Sequence, residues 1–330
     1  MRFPLKMTLD TAVYTAKQQV AHNTHAPLVM MLEPTLACNL ACIGCGKILE
    51  FENNSTELTA QQCLDSARES GAPVVSICGG EPLIYRHIDE VVDGLIAMGK
   101  HIILCTNALR LEQFAQKRRP DPHLSFAVHL DGMEETHDHI CARAGVFETA
   151  IRAIRVAKAE GHRVTTNTTI YRETDIEEIR QLLDLLVSID IDGVLLAPAF
   201  GYEAIDKSVV MTRDEIVAKF RAIQSFDSQY PVLTSPIYRQ FLRGERDLDC
   251  HAWGTVTRNP YGWKGPCYLI TDAIHDSCSD LLATDFDKYG PGKDPRCEHC
   301  MMHSSFEPAA AVEASKSIRD LMAMLRWQVA

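Results

Sequence analysis

The chain of 330 residues has room for one large domain or two modest ones, and 46% hydrophobic against 23% charged residues excludes disordered and fibrous classes. Its 33 Lys and Arg against 44 Asp and Glu give a net charge of −11, which argues against a nucleic-acid partner, because phosphates call for a basic face. No apolar run approaches the ~20 residues that cross a bilayer, and the first ten residues have no signal-peptide core, so a cytoplasmic protein is expected, with twelve cysteines as metal ligands, reactive thiols or small buried hydrophobes.

Leu9, Ala12, Val13, Ala16 and Val20 fall at helical spacing and predict an amphipathic helix over 9–20, packed on the main domain or lying at a membrane surface. A strand–helix rhythm then begins. Six apolar runs of strand length follow: Leu28–Leu32, Val74–Cys78, Ile102–Cys105, Phe126–Leu130, Val164–Thr169 and Val194–Ala197. Helical periodicity separates them, as in Ile88–Met98, Phe147–Ala157 and Ile176–Leu186. Repeated units of this kind imply parallel strands with right-handed crossovers, in an α/β fold that is either a six-unit partial barrel or a doubly wound sheet. Past about residue 225 the rhythm stops. The segment 226–307 is rich in Gly, Pro, Asp, Trp and Cys and is expected to lack a core of its own, and a last helix is expected over 309–326. The expected division is an N-terminal helix (1–27), the repeat domain (28–225) and a small cysteine-containing region (226–330).

After the first strand comes Cys38-Asn-Leu-Ala-Cys42-Ile-Gly-Cys45. Three thiolates in one C-x3-C-x2-C loop can hold three irons of a cubane cluster and leave the fourth for an exogenous ligand, whereas zinc more often takes paired C-x2-C or His ligands. The second strand ends in Cys78-Gly79-Gly80-Glu81-Pro82, where two glycines permit close backbone approach and Glu81 offers an acceptor for an ammonium. Strand alternation puts Cys105 and Asn107 on one face, His129 and Asp131 on one face, and Thr165, Asn167 and Thr169 on one face, so polar groups line the strand ends. In the C-terminal region Cys250 and Cys267 flank a predicted hairpin, and Cys297-Glu-His-Cys300 forms a C-x2-C knuckle. Four thiolates suit a tetrahedral zinc or a fully ligated 4Fe–4S cluster. His251, His299 and His303 lie nearby as spare ligands.

The C-x3-C-x2-C loop followed by Gly-Gly-Glu-Pro resembles the radical S-adenosylmethionine (SAM) superfamily, which implies the six-unit (βα)6 partial barrel. The resemblance implies a 4Fe–4S cluster on Cys38, Cys42 and Cys45 and SAM bound near Gly79, Gly80, Glu81, Asn107, His129, Asp131 and Asn167. The layout of Cys250, Cys267, Cys297 and Cys300 resembles the twitch half-domain and implies a second 4Fe–4S cluster, with zinc as the lesser alternative. Leu104-Cys-Thr-Asn-Ala-Leu109, Trp253-Gly-Thr-Val-Thr-Arg258 and Cys297-x-x-Cys-Met-x-His303 are similar to the hopanoid-biosynthesis family, adenosylhopane synthase. That likeness implies addition of the 5′-deoxyadenosyl radical to the terminal alkene of diploptene. Cys105 would then give the hydrogen atom, since a thiol S–H bond is weaker than the tertiary C–H bond formed. Tyr202 and Glu203 would line the substrate pocket, reduced ferredoxin or flavodoxin would supply electrons, and the chain would be cytoplasmic with peripheral membrane contact. The alternatives are a radical SAM enzyme of the same architecture acting on a peptide, sugar or nucleoside, and a non-catalytic iron–sulfur or zinc protein.

Overall fold

A computed structural model describes residues 2–50, 55–201, 205 and 207–329. Each of the six apolar runs forms a strand: β1 Val29–Leu32, β2 Val74–Ile77, β3 His101–Thr106, β4 Leu124–His129, β5 Arg163–Ile170 and β6 Gly193–Pro198. They pair in parallel and in chain order, with helices such as Ala60–Ser70, Ile88–Ala97, Val146–Ala159 and Ile176–Ser188 between them. Each crossover helix buries one stripe on the sheet, as Ile179, Leu182, Leu183 and Leu186 do.

The C-terminal region extends this sheet. Strand β7 (Thr255–Asn259) lies parallel to β1, with Val29 opposite Thr255 and Leu32 opposite Arg258. The expected hairpin is present: β8 (Gly262–Pro266) runs antiparallel to β7, and β9 (Thr271–His275) antiparallel to β8. The sheet order is therefore β6-β5-β4-β3-β2-β1-β7-β8-β9. One expectation is met and one is corrected here. The segment 226–307 shares the core of the barrel and does not depend on a bound metal alone for its packing: Ile237, Tyr238, Phe241, Trp263 and Phe306 join the same buried cluster as the barrel strands. The last helix is two helices, His303–Ser315 and Ile318–Val329, broken at Lys316 and Ser317.

The N-terminal helix spans Leu5–Val20 and lies alongside the chain's last helices: Phe3 meets Trp327 edge-on at 5.8 Å, and Gln19 Nε2 donates to Ser315 Oγ at 3.3 Å. Leu5, Leu9 and Val13 face solvent, as do Ile318, Leu321, Met322, Leu325 and Val329. Among the described residues no helix is long and apolar enough to cross a membrane.

Candidate functional site

The cysteine loop leaves the C-terminal end of β1 and is clamped from two sides. The amides of Gly80 and Glu81 donate to the carbonyls of Thr35 and Ala37 at 3.0 and 2.9 Å. Gly79 sits at φ +104°, and a Cβ on Gly80 would run into the Ala37 carbonyl. These two glycines are therefore required by the approach of one loop to another. On the far side Ile43 N–H donates to the carbonyl of Ile140 at 2.9 Å, docking the loop on the end of the helix Glu134–Ile140.

Cys38, Cys42 and Cys45 are half-buried on this loop, none of them in a disulfide. Burial, with the neighbouring Glu81, Cys42 and Cys45, pushes the Cys38 thiol up to about 11. The Cys42 thiol is also pushed up, first by its hydrogen bond to Cys141 and then by burial. Thiols that resist ionisation, as Cys38 and Cys42 do, are donors that a cation would stabilise as thiolates, and Cys45 completes the set. They fit a cubane cluster. Asn107 braces the loop, its Nδ2 donating to Asn39 Oδ1 at 2.7 Å beside Cys38.

The Glu81 carboxylate is spent inside the protein. It accepts from the amides of Leu83 (3.0 Å) and Asn107 (2.8 Å) and from Thr106 Oγ1 (2.8 Å). Burial outweighs these bonds and raises its pKa. Thus Glu81 ties β2 to the end of β3. His129 and Asp131 come together, with His129 Nε2 2.5 Å from Asp131 Oδ2, while Asp131 Oδ1 accepts from Thr169 N–H at 2.7 Å. Burial alone would lower His129, but the Asp131 carboxylate outweighs it and raises its pKa to about 9. Asn167 Oδ1 is buried without a hydrogen-bond partner, so one acceptor stands open beside this pair, whose strands are in register with Asn167 opposite His129. Cys105 lies half-buried on the strand face of Asn107, its Sγ 3.5 Å from Ser76 Oγ, and burial raises its thiol pKa. Tyr202 and Glu203 lie outside the described residues.

Cys250, Cys267, Cys297 and Cys300 line one cavity of about 390 Å³, otherwise walled mainly by apolar groups such as Phe200, Met302 and Phe306. Burial, with the charges of Cys267 and Cys297, pushes Cys250 up to about 12. Of the spare histidines only His299 lines this cavity. His303 packs on the Phe200 ring at 5.3 Å, and His251 on Trp253 at 4.4 Å.

Residues 32–186, from the end of β1 through the helix after β5, match the model of the radical SAM superfamily. The chain carries a radical SAM domain. Residues 194–324 match a second model, described as a domain of unknown function (DUF3463). The chain is 29% identical to Fe-coproporphyrin III synthase of Methanosarcina barkeri (strain Fusaro / DSM 804) over 162 residues, 48% of this chain and 40% of that protein. It is 25% identical to AdoMet-dependent heme synthase of the same organism over 262 residues, 74% of this chain and 75% of that protein. The chain thus spans well under half of the first relative's length. Among solved structures, SuiB of Streptococcus suis bound to S-adenosylmethionine superposes with a TM-score of 0.66 at 17% identity, covering 92% of this chain and 77% of that one. Native anSMEcpe with bound AdoMet gives 0.59 at 14%, covering 78% and 81%. The radical SAM fold expected from the cysteine and glycine motifs is thus present, with the 4Fe–4S cluster and SAM as its cofactors and further cysteines that allow a second cluster. No curated relative named here carries the hopanoid chemistry that the resemblance implied; both are named for tetrapyrrole chemistry.

Sequence reasoning missed two groups. Cys141 lies beside Cys42 and His137 beside Cys141, far along the chain at the end of a short helix whose apolar spacing gave no signal. The second group is a buried charge layer between the two cysteine sets. Lys47 Nζ pairs with Glu33 at 2.9 Å and lies 4.5 Å from the centre of the Tyr268 ring. Lys264 pairs with Glu50 at 3.4 Å, and burial lowers its pKa to about 8. The signal available was proximity: Lys47 is two residues past Cys45, and Lys264 three before Cys267.

Proposed function

We propose that the chain is a radical SAM enzyme acting on an organic substrate other than a hopanoid alkene, with a tetrapyrrole as the first class to test. Cys38, Cys42 and Cys45 hold the SAM-binding cluster. When bound, the cluster and SAM supply a 5′-deoxyadenosyl radical. The observation that carries this reading is the interlock of the cysteine loop with Gly79, Gly80 and Glu81, which sets three thiols at the open strand ends beside the His129–Asp131 pair and the free acceptor of Asn167. Asn107 steadies the loop through Asn39, and Glu81 steadies Asn107 through its amide. Asp131 fixes the His129 ring and keeps it protonated, so it presents a cation toward an anionic group of SAM. The names of the two curated relatives supply the substrate class.

The four C-terminal cysteines take a second 4Fe–4S cluster. A single zinc, with bonds of ~2.3 Å, needs its sulfurs roughly 3.8 Å apart. Among the described residues the only ligand trio within 4.8 Å is Cys42, His129 and Cys141, so the four C-terminal sulfurs stand wider around their cavity, which favours a cubane.

A second reading keeps adenosyl transfer to the terminal alkene of diploptene. Its support is Cys105, whose half-buried thiol stands on the face of Asn107, where a hydrogen-atom donor is needed. The outward leucines of the first and last helices support peripheral membrane contact. Tyr202 and Glu203 remain candidate substrate contacts, and reduced ferredoxin or flavodoxin the electron donor.

The test is an anaerobic assay of reconstituted protein with SAM and dithionite, with iron coproporphyrin III, heme precursors or diploptene added in turn and read by mass spectrometry. 5′-Deoxyadenosine with a modified tetrapyrrole supports the first reading. A product of diploptene plus adenosyl plus hydrogen supports the second, and Cys105→Ala should then cleave SAM while losing the saturated adduct. No SAM cleavage under any condition, neither free 5′-deoxyadenosine nor an adenosyl adduct, would sink both.

A further inference from the structure

We propose that Cys141 is a positioning residue that hydrogen-bonds the cluster ligand Cys42, at the end of a directed chain running from the Asp131 backbone through His137. The proposal rests on Cys42 being a ligand of the SAM-binding cluster.

The direction of the chain follows from donors and acceptors. The amide of Asp131 can only donate, and it lies 3.2 Å from His137 Nδ1. Nδ1 must therefore accept, which leaves the imidazole neutral with its proton on Nε2. That nitrogen lies 3.5 Å from Cys141 Sγ, so it donates to the sulfur. As a thiolate ligand Cys42 has no hydrogen to give and can only accept, and the Cys141 hydrogen is free to point at it. Cys42 Sγ lies within 4.8 Å, together with a ring nitrogen of His129.

The backbone enforces this meeting. Ile43, next to Cys42, donates to the carbonyl of Ile140, next to Cys141, at 2.9 Å. Asp138 receives the amides of Gly145 and Phe147, at 2.5 and 2.8 Å, and so fixes the turn that carries Cys141. His137 and Cys141 are each 1% exposed, so water does not compete for either group. Nothing else in the function described above explains a buried neutral histidine that donates a hydrogen bond to a buried thiol. Hydrogen bonds to the sulfurs of an iron–sulfur cluster stabilise its more negative, reduced form and raise its potential. Cys141 therefore makes the cluster easier to reduce.

The experiment compares wild type, Cys141→Ala, Cys141→Ser and Cys63→Ala after anaerobic reconstitution. Iron and sulfide per chain are measured, then the midpoint potential by titration followed by electron paramagnetic resonance. The expected result is equal iron in all four and a midpoint moved to more negative potential in Cys141→Ala. Cys141→Ser keeps a donor and stays nearer wild type, and Cys63→Ala, which removes a buried thiol elsewhere, does not move. Should Cys141→Ala fail to fold, Cys141→Val removes the same donor and keeps the volume. Equal iron with an unmoved midpoint overturns the proposal. So does loss of iron from Cys141→Ala, which would make Cys141 a ligand. Failure of wild type to take up a cluster overturns the assignment of Cys38, Cys42 and Cys45 as well, and is distinguished by the iron content alone.

Discussion

The carbonyl of Ala37 stands where Gly80 would carry a Cβ, and the amide of Glu81 donates to that same carbonyl at 2.9 Å. The cysteine loop and the glycine turn are thus a single fitted piece. Gly80→Ala must push the two apart and break the bonds that hold them. Overpacking of this kind costs about 1–3 kcal/mol. The expected outcome is a lower melting temperature with loss of iron on reconstitution. Full iron content at an unchanged melting temperature would show that the loop does not depend on this approach.

Lys47 and Glu33 form an ion pair from which solvent is excluded, with both side chains at most 4% exposed. Lys47→Ala strands the Glu33 charge, and breaking such a pair costs roughly 3–5 kcal/mol. The double variant Lys47→Met with Glu33→Gln should recover most of that loss in urea unfolding. A Lys47→Ala protein as stable as wild type would mean that the pair carries no charge.

Glu307 receives the amide of Ser235 at 2.8 Å, yet burial raises its pKa to about 7. A carboxyl whose folded pKa lies above its unfolded value of 4.5 favours the fold while protonated. That contribution is present below pH 4.5 and lost as pH rises through about 7. Its full size is at most about 3 kcal/mol, at 1.36 kcal/mol per pKa unit. Glu307→Gln should therefore flatten the decline in stability between those two pH values, measured by urea unfolding at a series of pH. Parallel curves for variant and wild type would exclude Glu307 as the source.

Cys300→Ala removes one of the four thiols around the C-terminal cavity. The expected result is a fall in iron from the content of two clusters toward one, with SAM cleavage measured separately. Zinc in place of that iron in the wild type, found by elemental analysis, would reverse the assignment of the second site.

The six barrel strands were legible because each is a short run of β-branched and apolar residues between helical periods. The cysteine loop and the glycine turn were legible because their spacing is local. Strand parity correctly set His129 beside Asp131, but not the bond between them, since alternation gives a face and not a partner. The pairing of β7 with β1 was invisible, because 226 positions separate Val29 from Thr255 and no local pattern encodes such a partner. Cys141 escaped for the same reason, reaching Cys42 only through the fold. Lys47 and Lys264 read as surface charges, because burial of a charge depends on a partner brought from elsewhere.

Strand β1 carries the cysteine loop, and its outer edge is covered by β7, which is made more than two hundred residues later. Until that late segment arrives, β1 has an open edge, and Glu33 N–H lacks the Arg258 carbonyl that receives it at 2.9 Å. During synthesis, therefore, the nascent chain holds three cysteines at the end of a half-paired strand. Contacts of this sequence separation form late because the loop they close is long. Maturation thus has an order: the ribosome must release the C-terminal third before the metal-binding loop acquires its final support, and a truncated chain would be a poor acceptor for any iron–sulfur carrier.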